Sequence, residues 1–148
     1  MIRPLALIHE FVDFVPRDLK EGVVYVSIQY ATVIHKCCCG CGRQVVTPLA
    51  PSQWTLSYDG RTISLHPSIG NWNFPCKSHY WIRGNQVLWA KRWSEAEIVA
   101  GQHRDAKAIR DEFVDRQSSS KETTAKGRPA TQNPSKGIFA RLKDIFGK

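Results

Sequence analysis

Apolar and polar positions alternate with a short period through the first ninety residues and then change to a longer one. Val23-Val24-Tyr25-Val26-Ser27-Ile28 is dense in β-branched and aromatic residues and predicts a strand. Residues 9–15 are its expected partner, with Pro16 and Gly22 bounding the link. Thr32-Val33-Ile34-His35 predicts another strand, and Arg43 to Thr47 a further one that ends at Pro48 and Pro51. Trp54 to Tyr58 and Arg61 to Leu65 alternate around Asp59-Gly60, a strong hairpin signal. Tyr80 to Arg83 and Gln86 to Trp89 flank Gly84-Asn85, a second tight hairpin, and Pro67 to Pro75 between the two hairpins reads as a loop.

The pattern switches at Ser94-Glu95-Ala96-Glu97, which fits a capping box opening a helix over about 95–115. Ile98, Ala106, Ile109 and Phe113 form its expected core stripe, and Gly101 weakens it. Residues 118–135 are Ser, Thr, Lys, Gly, Pro and Gln, too polar to offset their ordering entropy, and predict a flexible linker. Residues 136–148 place Ile138, Phe139, Leu142, Ile145 and Phe146 at helical spacing, a short amphipathic helix suited to docking on the domain, on a second copy or on a partner. There is no internal repeat. The expected architecture is α+β: a β-rich antiparallel sheet of hairpins over 1–117 with one packed C-terminal helix and a flexible tail.

A chain of 148 residues that is 42% hydrophobic can bury one real core. No run reaches the roughly 18–20 apolar residues of a membrane span. Glu10 and Asp13 interrupt the first apolar stretch and no cleavage site comes after it, so no signal peptide is read and the cytoplasm is the expected compartment. The net charge of +8 is uneven. Residues 118–148 hold seven basic and two acidic groups, or +5, and residues 1–117 hold fourteen and eleven, or +3. The basic character belongs mostly to the tail and argues only weakly for nucleic-acid binding by the domain.

Four of the five cysteines crowd into positions 37–41. A disulfide framework spreads its cysteines, and reduced thiols at this spacing point to metal instead. Zinc takes four soft or borderline ligands in a tetrahedron. Cys76-Lys77-Ser78-His79 is a C-x-x-H pair offering two of them, with Pro75 stiffening its entry. Cys37-Cys38-Cys39-Gly40-Cys41-Gly42 must offer the rest. A continued strand would put Cys37 and Cys39 on one face and Cys38 on the other. Cys38 and Cys41 make a competing knuckle spacing. Ligand type favours a structural zinc over an iron–sulfur cluster. His35 reads as a strand histidine, with a ligand or supporting role as the alternative, and His9, His66 and His103 lack local partners.

The metal has no recognisable catalytic motif around it. Pro75-Cys76-x-x-His79 imitates half of a zinc deaminase signature, but no H-x-E accompanies it, and H-E-x-x-H is absent. A cysteine nucleophile is disfavoured because the cysteines are expected on the metal. No catalytic residue is therefore assigned, and a non-enzymatic role is preferred. Trp81 and Trp89 fall in hairpin strands, where they serve packing. Trp72, in the loop, is the candidate for an exposed contact or a lid over the metal.

Four pieces carry a resemblance: H-x-C-x-C-G-C-G at His35 to Gly42, Trp54-x-Leu56, Ser64-Leu65-x-Pro67-Ser68, and Pro75-Cys76-x-Ser78-His79-Tyr80-Trp81. Over residues 20–115 the chain resembles a bacterial family of small proteins without an assigned activity. Its members are often encoded beside multi-ubiquitin-like proteins and their activating and conjugating enzymes. Cys37, Cys39, Cys41, Cys76 and His79 match the shared positions and Cys38 does not. The resemblance thus implies a metal set of Cys37, Cys39, Cys41, Cys76 and His79. It offers five groups for four bonds, with Cys37 or Cys39 the one left over. It also implies a role in ubiquitin-like conjugation, in an antiviral defence setting. The expected function is a zinc-stapled protein-interaction or adaptor module, ligase-like in its accessory role, whose partners are proteins of that pathway. A nucleic-acid-binding zinc domain is the alternative. Self-association through the tail is allowed for, and a membrane is not favoured as a partner.

Overall fold

The computed structural model of the protein describes residues 6–125. Eight strands precede one helix: β1 (Ile8–Phe11), β2 (Val23–Ser27), β3 (Thr32–Lys36), β4 (Gln44–Pro48), β5 (Thr55–Tyr58), β6 (Ile63–Gly70), β7 (His79–Arg83), β8 (Gln86–Trp89) and α1 (Glu95–Ala125). The α+β, antiparallel-rich architecture is the one expected. The strands form two sheets, ordered β1-β2-β3-β4 and β5-β6-β7-β8, in place of the expected single sheet. Both tight hairpins form, with Tyr58 opposite Ile63 and Arg83 opposite Gln86.

The β1–β2 pair is parallel, Ile8 to Phe11 lying alongside Val23 to Val26. The segment between them explains this. Val12, Val15 and Leu19 pack with Val23 and Tyr25 on the outer face of β2, so the chain crosses that face before re-entering the sheet. Both faces of β2 are consequently covered, and all five of its residues are buried.

The two sheets share one core. Val24, Val26, Val33 and Val45 from the first meet Ile63, Leu65, Ile69, Tyr80, Ile82 and Val87 from the second. Alternation along each strand sends every second side chain inward. On β7, Tyr80 and Ile82 point into this core, which leaves His79 and Trp81 on the opposite face.

Residues 67–75, expected to be loop throughout, are strand as far as Gly70. β6 pairs Leu65 with Ile82 and Ile69 with Tyr80, so His66, Pro67 and Ser68 stand opposite Trp81 alone. A bulge of this kind re-aims the side chains within it. With Ile69 in the core, Ser68 is turned to the face that carries His79. The His66–Pro67 peptide is cis.

Helix α1 opens on the predicted capping box: the Ser94 N–H and hydroxyl donate to the Glu97 carboxylate at 2.7 and 2.8 Å, and the Glu97 N–H donates to the Ser94 hydroxyl at 3.4 Å. It continues beyond 115 into the segment read as a linker. The hydroxyls of Ser118, Ser119 and Ser120 donate back to the carbonyls of Asp115, Asp115 and Gln117, so these polar residues bond within the helix. The remainder of the expected linker and the amphipathic segment 136–148 lie outside the described residues. Among the described residues no helix is long and apolar enough to cross a membrane.

The expected core stripe of α1 is corrected at three of its four positions. Ile98 is buried, whereas Ala106, Ile109 and Phe113 are exposed or nearly so, Phe113 to 62%. The helix is held instead by Ile98, by Gly101 against the Trp93 ring, and by Glu112, which accepts from the Ser52 N–H at 3.0 Å and from its hydroxyl. Gly101 is thus the close-approach point of the helix and no accidental weakness. A Cβ there would lie 2.7 Å from Trp93 Cζ3. Replacing a mid-helix glycine by alanine ordinarily stabilises by about 0.8–1 kcal/mol. Overpacking costs about 1–3 kcal/mol and wins here. Gly101→Ala should therefore fail to stabilise the protein, and Gly101→Val should lower its melting temperature and speed amide exchange throughout α1, as read by hydrogen–deuterium exchange. A stabilised Gly101→Ala variant would contradict this docking.

Candidate functional site

β3 ends at Lys36, so the cysteine cluster is the β3–β4 turn and not a continued strand. Its neck is closed by the Cys37 N–H donating to the Arg43 carbonyl at 2.7 Å, and Gly40 N–H donates to the Cys37 carbonyl at 3.0 Å. Gly40 and Gly42 both have positive φ, 83° and 73°, a conformation that glycine adopts without a Cβ penalty. The facing turn joins β6 to β7. Gly70 pairs with His79, and the Asn71 N–H donates to the Ser78 carbonyl at 2.9 Å. Lys77, at φ 42°, completes the bend that carries Cys76 outward. The Arg43 guanidinium lies 5.5 Å from the centre of the Phe74 ring and ties the two turns together.

Across this junction the sulfurs of Cys37, Cys39, Cys41 and Cys76 all lie within 4.8 Å of one another. The Cys37–Cys39, Cys41–Cys76 and Cys37–Cys76 separations are 3.4, 3.8 and 4.0 Å. Four sulfurs at about 2.3 Å from a tetrahedral zinc would sit about 3.8 Å apart, so the donor set fits such an ion in both chemistry and spacing. These four cysteines can hold a metal ion. Cys38 is turned into the core, outside the four-sulfur group, and burial pushes its thiol up to about 12. Burial likewise raises Cys37. At Cys76 burial also acts upward, but hydrogen bonds from the Ser78 side chain and N–H, and from the Cys39 and Cys41 thiols, outweigh it and bring the thiol down to about 7.

His79, the fifth residue of the expected metal set, is not in this group. Cys76 sits in the loop whereas His79 is the first residue of β7, so the three-residue spacing sends their side chains to different places. His79 Nε2 lies 2.9 Å from the Ser68 hydroxyl, and Nδ1 lies 3.3 Å from the Lys91 carbonyl oxygen. A carbonyl can only accept, so Nδ1 carries the proton and donates it to Lys91. Nε2 is left bare to accept the Ser68 hydroxyl proton. The Ala90 N–H donates to the His79 carbonyl at 2.9 Å, which pins the Lys91 backbone beside the ring.

Three indoles surround this imidazole. Trp72 and Trp93 stack on each other with ring centres 5.0 Å apart, and each meets His79 edge-on at 4.9 Å; Trp81 lies at 5.7 Å. Trp72 is thus a lid over the histidine. Burial lowers the His79 pKa, opposed by the Lys91 carbonyl, so the ring is held in the neutral form that can act as a base. Ser68 and His79 open into a cavity of about 220 Å³ walled by Trp54, Trp72, Trp93, Gly70, Gly101 and Arg104. On the other side of His79, an open cleft of about 660 Å³ runs over Cys39, Cys41, Cys76 and Arg92.

Sequence reasoning did not single out Ser68. It reaches His79 only through a bulge and a cross-strand pairing eleven residues apart. The signal was nevertheless present, since Pro67-Ser68 and Ser78-His79 both belong to the motifs that carry the family resemblance. His35 is buried, lies outside the four-sulfur group and shares a 2.9 Å hydrogen bond with the Tyr80 hydroxyl.

The four-sulfur set makes a direct prediction. Cys41→Ser and Cys76→Ser should lose metal on purification, whereas His79→Ala and Cys38→Ser should retain about one equivalent by elemental analysis. Loss of metal from His79→Ala alone would put the imidazole back in the ligand set.

Comparison with known proteins gives one family match, and no curated protein or solved structure matches the chain. The match spans residues 11–90, which include the four clustered cysteines, Ser68 and His79 but end before α1. Since it covers more than half of the chain, the protein belongs to the family described as "Bacterial ubiquitination-like system serine protease (BubE)" and takes part in such a system.

Proposed function

We propose that the protein is a serine hydrolase of the ubiquitination-like system, cleaving a peptide or isopeptide bond at the C-terminus of a ubiquitin-like protein. The observation that carries this is the 2.9 Å contact from Ser68 Oγ to a histidine nitrogen whose other nitrogen is fixed by a carbonyl. That is the arrangement of nucleophile, base and orienter. The family description names the same chemistry.

In this reading Ser68 Oγ attacks the scissile carbonyl in the cavity walled by Trp54, Trp72 and Trp93, and His79 Nε2 takes its proton. The imidazolium, held by Lys91, returns that proton to the departing amine. Water then attacks the acyl-enzyme with His79 again as base, and the carboxylic product leaves. The indoles exclude bulk water from the imidazole. The thiolates of Cys37, Cys39, Cys41 and Cys76 would hold a structural zinc, which would brace the turn that enters β7 beside His79. With four protein ligands that zinc has no open position for substrate.

An adaptor or ligase-like role leaves the Ser68–His79 pair without a use. A nucleic-acid-binding role would use free indole faces for base stacking, but Trp72 and Trp93 are stacked on each other above His79, and Trp54 and Trp89 pack on the core.

A fluorophosphonate probe should label the full-length protein at Ser68, read by intact mass and peptide mapping. Ser68→Ala should abolish labelling and cut hydrolysis of a ubiquitin-like fusion by at least about 10³-fold. Labelling at another serine, or an active Ser68→Ala, would refute the assignment. The pH profile supplies a second check. His79 works as a base only when neutral, and its pKa lies below the ordinary histidine value of about 6.5 because the ring is buried. Activity should therefore rise with pH along an acid limb whose midpoint falls below that value. A midpoint above about 7 would contradict the buried base.

A further inference from the structure

The 71–78 loop carries Cys76 at the thiols and leads directly into His79. Between them lies a buried polar chain that the proposed hydrolysis does not use. The Ser78 hydroxyl is 3.1 Å from Cys37 Sγ and 3.5 Å from Cys76 Sγ. The Asn71 side-chain amide donates to Ser78 Oγ at 2.9 Å and also faces the Tyr80 hydroxyl at 3.4 Å and Cys37 Sγ at 3.7 Å. Tyr80 in turn meets His35 Nε2 at 2.9 Å. Asn71 and Ser78 are each 8% exposed, and Cys37 is fully buried.

Chemistry fixes the proton directions at the sulfur end of this chain. Metal-bound cysteines are thiolates and can only accept. The Ser78 hydroxyl must then donate its one proton to sulfur and accept from Asn71. The second amide proton of Asn71 is shared between Cys37 Sγ and the Tyr80 oxygen, and Tyr80 shares a hydrogen bond with His35 Nε2. Four thiolates around a divalent cation leave a net negative centre, and Cys37, the most deeply buried of the four, has no water to disperse its charge. The Ser78 and Asn71 donors stand where that charge is.

We propose that Ser78 and Asn71 are positioning residues of the metal centre, donating hydrogen bonds that stabilise the Cys37 thiolate and brace the loop between Trp72 and His79. This rests on the metal half of the proposed function and is independent of the Ser68 chemistry. Groups of this kind typically account for about 10–100-fold in metal affinity.

The test uses the full-length protein loaded with Co²⁺, whose thiolate charge-transfer bands report on sulfur directly. Removing a donor raises the energy of the sulfur lone pair and should move the band to longer wavelength. Ser78→Ala should bind Co²⁺ about 10–100-fold more weakly in chelator competition, with a red-shifted band, and Ser78→Thr, which keeps the hydroxyl, should behave as the parent protein. Should Ser78→Ala not fold, Asn71→Leu is read in the same way. Parent-like affinity and an unshifted band in these variants would overturn the inference while leaving the metal site standing. A parent protein that gives no thiolate–Co²⁺ spectrum would overturn both. Absence of Ser68 labelling in a protein that does bind Co²⁺ would remove only the hydrolase reading.

Discussion

The pairing of Gly70 with His79 governs the rest of the site. It closes the 71–78 loop, and the loop delivers Cys76 to the thiols of the β3–β4 turn. One residue after the loop, the strand period takes over. Tyr80 enters the core and His79 turns to the other face, toward Ser68 in the bulge of β6. A slip of one residue in this pairing would exchange the faces of Tyr80 and His79, burying the imidazole in an apolar core and exposing the phenol. Several independent contacts guard against that slip: the core around Tyr80, the Gly70 backbone beneath the Trp72 ring, and the thiol cluster. A Cβ at Gly70 would collide with the Trp72 indole, so the indole seat requires glycine.

The metal contribution and the core contribution are of different kinds. The shared core of the two sheets holds the strands and takes in Cys37 and Cys38 of the β3–β4 turn, with Cys39, Phe74 and Cys76 packed against it. Structural zinc in small domains supplies about 10–16 kcal/mol of apparent binding energy, similar to or above the whole stability of a domain. A zinc held by the four cysteines would add to that packing by linking the two turns directly. Helix α1 contributes in a third way. It lies beyond the family match and docks through Ile98, Gly101 and Glu112, yet it walls the cavity in front of Ser68. The proposed catalytic pair thus belongs to the family segment, and one wall of its cavity comes from a helix outside that segment.

The strands and both hairpins were legible because period-two alternation and the Asp59-Gly60 and Gly84-Asn85 turns are local signals. The thiol cluster was legible from spacing, and the exclusion of Cys38 agreed with its burial. The parallel β1–β2 pair was not, since its direction depends on how 12–22 cross the sheet face. The helix stripe failed because α1 touches the domain at a glycine, and an apolar pattern search cannot register a residue that matters for lacking a side chain. His79 was drawn to the metal by its C-x-x-H spacing. What separates it from Cys76 is the change from loop to strand between them, and that depends on a pairing made with Gly70.

The division of labour between Cys76 and His79 is the central claim, and X-ray absorption at the zinc edge of the purified protein tests it most directly. Four sulfurs at about 2.3 Å, with no imidazole scattering, are predicted. A shell of three sulfurs and one nitrogen at about 2.0 Å, with imidazole multiple scattering, would place His79 on the metal and contradict the Ser68–His79 pair.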